Sequence, residues 1–93
     1  MYIKYPMVDD IIDANRQAIR LFRATRAERH GFLLPRNIAE YRIQKIINKA
    51  KYSRGTIKHK AAILLKEINR QHIFQSANKR TSFLVATEFL LVI

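Results

Sequence analysis

Residues 72–81 read His-Ile-Phe-Gln-Ser-Ala-Asn-Lys-Arg-Thr, and no other stretch of the chain gathers so many groups able to act on a phosphate. The first backbone N–H groups of a helix have no intrahelical acceptor and sit at the positive end of its dipole, so a loop that runs into a helix start forms an anion site. Asn78, Lys79 and Arg80 add an amide and two cations at that same end, where fixed positive charge weakens a helix and calls for a negative partner. Arg80 is suited to bidentate contact with a phosphate and Lys79 to acting as a point charge. His72, across the loop, is placed to take a proton from an attacking hydroxyl. Phe74, between them, is the apolar anchor that pins the loop to the core.

Positioning such a loop requires helices on either side of it, and the periodicity supplies them. Val8, Ile11, Ile12, Ala18, Ile19 and Phe22 recur at helical spacing, with Asp9, Asp10 and Asp13 early and Arg20, Arg23 and Arg26 late, as the dipole favours. This predicts a first helix over about 7–28. A loop over 30–36 follows, with Pro35 disfavouring helix at Leu34 and Asn37 available as a cap for the next segment. Ile38, Ile43, Ile46, Ile47 and Ala50 predict a second helix over about 38–50. Thr56 is placed to cap a third, in which Ile57, Ala61, Leu64, Leu65 and Ile68 share a face while Lys58, Lys60, Lys66 and Arg70 point elsewhere. The last segment, from about 78 to the end, is polar for one turn and then apolar on nearly every side, as expected of a helix in the middle of a bundle. Tyr41 and Phe22 are expected in the core, and Arg16, Arg20 and Arg23 on a solvated face.

Length and composition bound the rest. A chain of 93 residues has room for one domain, and only two Gly and two Pro interrupt its regular apolar pattern. The expected fold is all-α, a small bundle of about four helices. With no Cys, a disulfide framework and a thiolate metal site are excluded. The N-terminus lacks the apolar run of a secretory signal, and the longest nearly apolar stretch, 83–93, is about half of the roughly 20 residues needed to span a bilayer. A cytoplasmic protein with no membrane partner is expected. The net charge of +11, from 18 Lys and Arg against 7 Asp and Glu, implies an anionic partner without choosing among nucleic acid, nucleotide phosphates and acidic protein.

The string at 72–81 resembles the signature of the Fic/Doc family, H-x-F-x-(D/E)-(G/A)-N-(K/G)-R. His72, Phe74, Ala77, Asn78, Lys79 and Arg80 agree, six of the seven constrained positions. The Ala-Asn-Lys-Arg-Thr form is closest to the Doc, or death-on-curing, branch. Residues 31–35 resemble the family's flap region, and about four-fifths of the chain can be laid alongside the family. The resemblance implies a Fic-like bundle and transfer of a phosphoryl or nucleotidyl group from ATP or another nucleoside triphosphate to a Ser, Thr or Tyr hydroxyl of a protein substrate, with the Doc branch pointing to a toxin held in check by an antitoxin. It also implies His72 as general base and Ala77, Asn78, Lys79 and Arg80 as the phosphate-binding set. The chemistry would need mainly positioning and charge neutralisation.

Two departures qualify the expectation. Ser76 stands where the family carries the Asp or Glu that holds magnesium, and a neutral hydroxyl is a poor ligand for that cation. The family normally continues for at least one more helix, so 89–93 are expected to lack cover, which points to a shortened chain, a homo-oligomer or a partner. No Ser/Thr-x-x-x-Glu inhibitory motif is present. The residue-by-residue alternatives are plainer: Ser76 as an ordinary N-cap, His72 as a dipole-compensating helix end, and 78–80 as a solvated first turn. The rival functions are a catalytically silent Fic-like adaptor and nucleic-acid binding by Lys45, Lys49, Lys51, Arg54, Lys58, His59 and Lys60, around a turn that could imitate a helix-turn-helix.

Overall fold

The computed structural model describes residues 3–22 and 29–91 and consists of four α-helices: α1 (Val8–Phe22), α2 (Arg36–Lys51), α3 (Ile57–Gln71) and α4 (Asn78–Leu91). The all-α expectation holds, and the order and approximate limits of the helices agree with the periodicity. The expected extension of the first helix beyond 22, with Arg23 and Arg26, lies outside the described residues, as do Val92 and Ile93. No helix among the described residues is long and apolar enough to cross a membrane.

The helices start by different devices. At α1 the Asp10 carboxylate reaches back to accept the Met7 N–H (2.8 Å), neutralising a donor that the helix itself leaves unsatisfied. At α3 the Thr56 hydroxyl accepts the His59 N–H (3.2 Å), as its sequence position predicts. The expected cap at Asn37 is not made. Helix α2 begins at Arg36 with Pro35 in the capping position; the Pro35 carbonyl takes the Ile38 and Ala39 N–H groups (3.0 Å each), so Asn37 lies inside the first turn.

Helix α4 packs on α3 and on α1, and α2 packs on α3 and, less extensively, on α1. The core between them holds Ile11, Ile43, Ile46, Leu64, Ile68, Ile73 and Phe74, all fully covered. Because α4 has helices on one side only, it buries the stripe Asn78, Thr81, Ser82, Val85, Ala86 and Phe89 and exposes the other, including Phe83 and Leu91. That corrects the expectation of a helix surrounded on nearly every side. Phe89 itself is covered, its ring 5.6 Å from that of Tyr5 in the N-terminal segment, whereas Leu90 and Leu91 are exposed.

Two further expectations are overturned. Tyr41 is 63% exposed, because Ala39, Ile43, Ile46, Ile47 and Ala50 set the buried phase of α2 and position 41 falls outside it. The side chain of Phe22 lies outside the described residues. Lys60 does not point to solvent: it is buried, and its ammonium donates to the carbonyls of Ala50 (3.0 Å), Lys51 (3.2 Å) and Ser53 (2.6 Å). The last carbonyls of a helix have no intrahelical donor, and a buried ammonium with three N–H groups satisfies two of them, Ala50 and Lys51, together with Ser53 in the turn that follows. A second polar join between the same helices is Glu67 of α3, whose carboxylate meets Arg70 (2.6 Å), Gln71 (3.1 Å) and Lys49 of α2 (3.5 Å). Its pKa is lowered to about 2, first by the Arg70 hydrogen bond, with burial opposing and Gln71 and Lys49 assisting.

Candidate active site

The segment between α3 and α4 is held by backbone geometry that its sequence does not favour. His72 ends α3 in the left-handed conformation (φ 48°, ψ 53°), and Ala77, immediately before α4, has φ 64°. Left-handed backbone costs an L-residue with a Cβ roughly 1 to 2 kcal/mol, which is why glycine usually fills it. Two such residues bracket one short loop. Strain of this kind persists where the surroundings over-determine it, and it concentrates at functional sites.

What over-determines the loop is a clamp on each side. On one side residues 31–33 lie antiparallel to 73–75: Leu33 N–H donates to Ile73 O (3.0 Å) and Gln75 N–H to Gly31 O (2.9 Å), around a bridge between Phe32 and Phe74. Their rings stack at 5.6 Å, and Phe74 is fully buried, the anchor its position in the sequence predicts. The Gln75 amide adds a bond to Phe32 O (3.3 Å). On the other side the Asn78 side chain closes a ring with the Phe74 backbone, accepting its N–H (3.0 Å) and donating to its carbonyl (2.8 Å). Asn78 is buried and fixes the loop from within, so at least one of its amide hydrogens and its amide oxygen are directed at the protein.

A third group of contacts comes from α1. Asn15, fully buried, donates from Nδ2 to Ser76 O (2.9 Å) and Thr81 Oγ1 (3.0 Å), and its Oδ1 faces His30 Nδ1 at 2.8 Å. Since Nδ2 is the donor to both oxygens, Oδ1 must accept from His30, which fixes His30 as the tautomer protonated at Nδ1. Its Nε2 is then free to accept from Arg16 (3.4 Å). The His30 pKa is lowered, first by burial and then by Arg16 and Arg36, against a smaller opposing effect of Asp13, so the ring is neutral at pH 7. His30 also lies 6.4 Å from the rings of both Phe32 and Phe74. Neither Asn15 nor His30 figured among the residues expected from the sequence. The signal was present for Asn15: it falls on the stripe of Ile11, Ile12, Ala18 and Ile19, where a polar side chain must find partners inside.

The remaining expected residues are placed as follows. His72 is exposed at the end of α3. The N–H of Thr81 donates to Ala77 O (2.8 Å), and the Thr81 hydroxyl donates to the same carbonyl (2.7 Å). The backbone amides ahead of it form the usual anion-favouring end of a helix. Lys79 is exposed and Arg80 half-buried, and both line a mainly apolar groove between α3 and α4 with Leu65, Phe83 and Leu84. Ser76 does not act as an N-cap of α4. Its hydroxyl accepts the Arg29 N–H (3.4 Å) and its carbonyl is taken by Asn15, because the left-handed turn at Ala77 separates it from the helix start.

The donors around this loop decide whether it suits magnesium. Around Ser76 stand a hydroxyl, a carboxamide and backbone carbonyls, and among the described residues no group of three or more His, Cys, Asp or Glu side chains could hold a metal. A hard divalent cation takes carboxylate oxygens. These residues do not fit it.

The loop, its two left-handed residues and the strap at 31–33 therefore form one unit, and comparison with known proteins bears on what that unit is. The family model described as Fic/DOC family matches residues 5–90, nearly the whole chain. The chain belongs to the Fic/DOC family. The match extends from the segment before α1 almost to the end of α4, so it takes in all four helices save the last residue of α4. Comparison with curated proteins and with solved structures finds nothing that matches the chain significantly.

Proposed function

We propose that this Fic/DOC protein transfers a phosphoryl or nucleotidyl group from a nucleoside triphosphate, ATP in the first instance, to a Ser, Thr or Tyr hydroxyl of a protein substrate, in the manner of the Doc branch and as the toxin partner of an antitoxin. The observation that carries this reading is the pair of left-handed residues, His72 and Ala77, enclosing a loop that ends at a helix start with Lys79 and Arg80. In this reading the amides around Ala77 and Asn78 meet phosphate oxygens, Lys79 and Arg80 offset their charge, and His72 accepts the proton of the attacking hydroxyl as its oxygen bonds to phosphorus. Attack at the γ phosphorus releases the nucleoside diphosphate; attack at the α phosphorus releases pyrophosphate. Asn78 holds the loop through Phe74 and offers the phosphate its backbone amide.

Ser76 favours a second reading, a nucleotide-binding relative that keeps the fold without turnover, since it stands where the family signature carries the carboxylate for the cation that the triphosphate normally brings. One experiment separates the two. The protein is incubated with magnesium and ATP labelled at the α or the γ phosphate in the presence of cell extract, and nucleotide binding is measured by calorimetry. Labelled protein from one isotope names the transfer; binding without label identifies the silent relative; neither result rejects both. Ser76→Asp should increase metal-dependent labelling and His72→Ala should abolish it.

A further inference from the structure

The positive charge of this protein is concentrated on a surface that the loop does not use. Helix α2 carries Arg36, Arg42, Lys45, Lys49 and Lys51 against the single acid Glu40, the turn after it adds Arg54, and the first turn of α3 adds Lys58. Arg36 is paired with Glu40 (3.2 Å) and Lys49 with Glu67 (3.5 Å). Arg42, Lys45, Lys51, Arg54 and Lys58 are exposed and form no ion pair among the described residues.

Cations near a helix C-terminus ordinarily compensate the dipole. Here the buried ammonium of Lys60 already sits on the last carbonyls of α2, so Lys51 and Arg54 are surplus to that need. Two exposed aromatic rings accompany them: Tyr41, 63% exposed, and Tyr52, 73% exposed. The ammonium of Lys45 lies over the Tyr41 ring at 5.6 Å, and that of Lys51 over Tyr52 at 5.7 Å. At 100° per residue, Tyr41, Lys45, Asn48 and Tyr52 fall within about 60° of one another, and the two rings stand roughly 16 Å apart along the axis. Arg42 and Lys49 border this stripe on one side. On the other, a groove toward α1, which Tyr41, Asn48 and Lys51 also line, carries Asp9 and Glu40 and so favours an anion on the Lys45 side.

We propose that this face of α2 binds single-stranded nucleic acid, with bases stacking on Tyr41 and Tyr52 and phosphates lying over Lys45, Arg42, Lys51 and Arg54. Unpaired bases have free faces for exposed rings, and cations beside those rings track the backbone; a duplex offers phosphates but no free base faces along its length. An acidic protein would use the lysines and arginines but gain little from two solvent-facing tyrosines.

The test is fluorescence anisotropy with a short labelled oligouridylate, the same length of RNA duplex, and polyglutamate as competitor. The single strand should bind more tightly than the duplex, with an affinity that falls as salt rises at a logarithmic slope of about −3 for four phosphates. Tyr41→Ala and Tyr52→Ala should each weaken it about tenfold at unchanged slope, with Tyr41→Phe close to the parent, and Lys45→Gln should reduce the slope by about 0.7. Both tyrosines are exposed, so circular dichroism should show folded variants. Preference for duplex, equal competition by polyglutamate, indifference to both tyrosine substitutions, or absence of binding at low salt would each overturn the proposal. Loss of binding in Lys79→Gln instead would locate the anion at the α3–α4 loop and overturn it as well.

Discussion

Replacing Asn15 by Ala tests whether the strained loop is held from α1. Three bonds are lost: two from Nδ2, to Ser76 O and Thr81 Oγ1, and one into Oδ1 from His30. They are not equal. Thr81 keeps its bond to Ala77 O, and His30, only half-buried, can turn its N–H toward water. The Ser76 carbonyl is left without its side-chain donor, at about 1 to 2 kcal/mol, and the truncated side chain leaves a small void at a position with no solvent exposure, at about another 1 to 2 kcal/mol. The sum is about 2 to 4 kcal/mol, which for a domain of this size lowers the melting temperature by roughly 10 to 20 °C. Thermal and urea unfolding at pH 7 measure it. Hydrogen exchange locates the effect, because the amides of Leu33 and Gln75, paired across the strap, should lose protection before those of the α2–α3 interface. A variant that melts within about 3 °C of the parent, or that loses protection evenly, would refute the argument that this side chain governs the loop.

His72→Gly should act in opposite directions on two readouts: relief of the left-handed backbone raises stability by up to about 1 kcal/mol, while any labelling of protein by ATP disappears; unfolding midpoints and the isotope assay read both. Ala77→Gly should likewise raise the midpoint, by a similar amount, with the site's chemistry retained. Glu67 makes stability depend on acid pH: its folded pKa of about 2 lies below the ordinary 4.5, so its contribution is complete above 4.5 and is lost as pH falls toward 2. Both partner cations are largely exposed, so the loss is of order 1 to 2 kcal/mol, and Glu67→Gln should flatten that part of the urea-midpoint profile. Lys60→Met keeps the stem's volume but leaves three carbonyls without their donor and should lower the unfolding free energy by about 2 to 4 kcal/mol, read in the same titrations.

The helices were legible because their buried faces recur at 3.6 residues, and Thr56 was legible because a capping hydroxyl acts on a neighbour three positions away. Phe74 and the string around it could be found from the order of their residue types, which is local in sequence. What escaped depended on partners distant in sequence. Asn15 reaches Ser76 and Thr81 across more than sixty positions, and the lysine at 60 is indistinguishable by type from its solvated neighbours until the end of α2 is placed beside it. Tyr41 was assigned to the core by residue type, against a phase that its own helix had already set. Ser76 was given the choice of cap or ligand, and it is not the cap of α4, because the backbone sign at Ala77 is invisible in a residue that has a Cβ.

The ammonium at the end of α2 also bears on how the molecule tolerates change. The connection between α2 and α3 is wrapped around a single ion, which fixes its length as a plug fixes the bore of a socket. One inserted residue ahead of that lysine would rotate its helix by about 100° and withdraw the ion from all three oxygens. Grafted peptides, linkers and permuted termini should therefore fail at this short turn although it lies at the surface, and acetylating enzymes should reach this amine only when the domain opens.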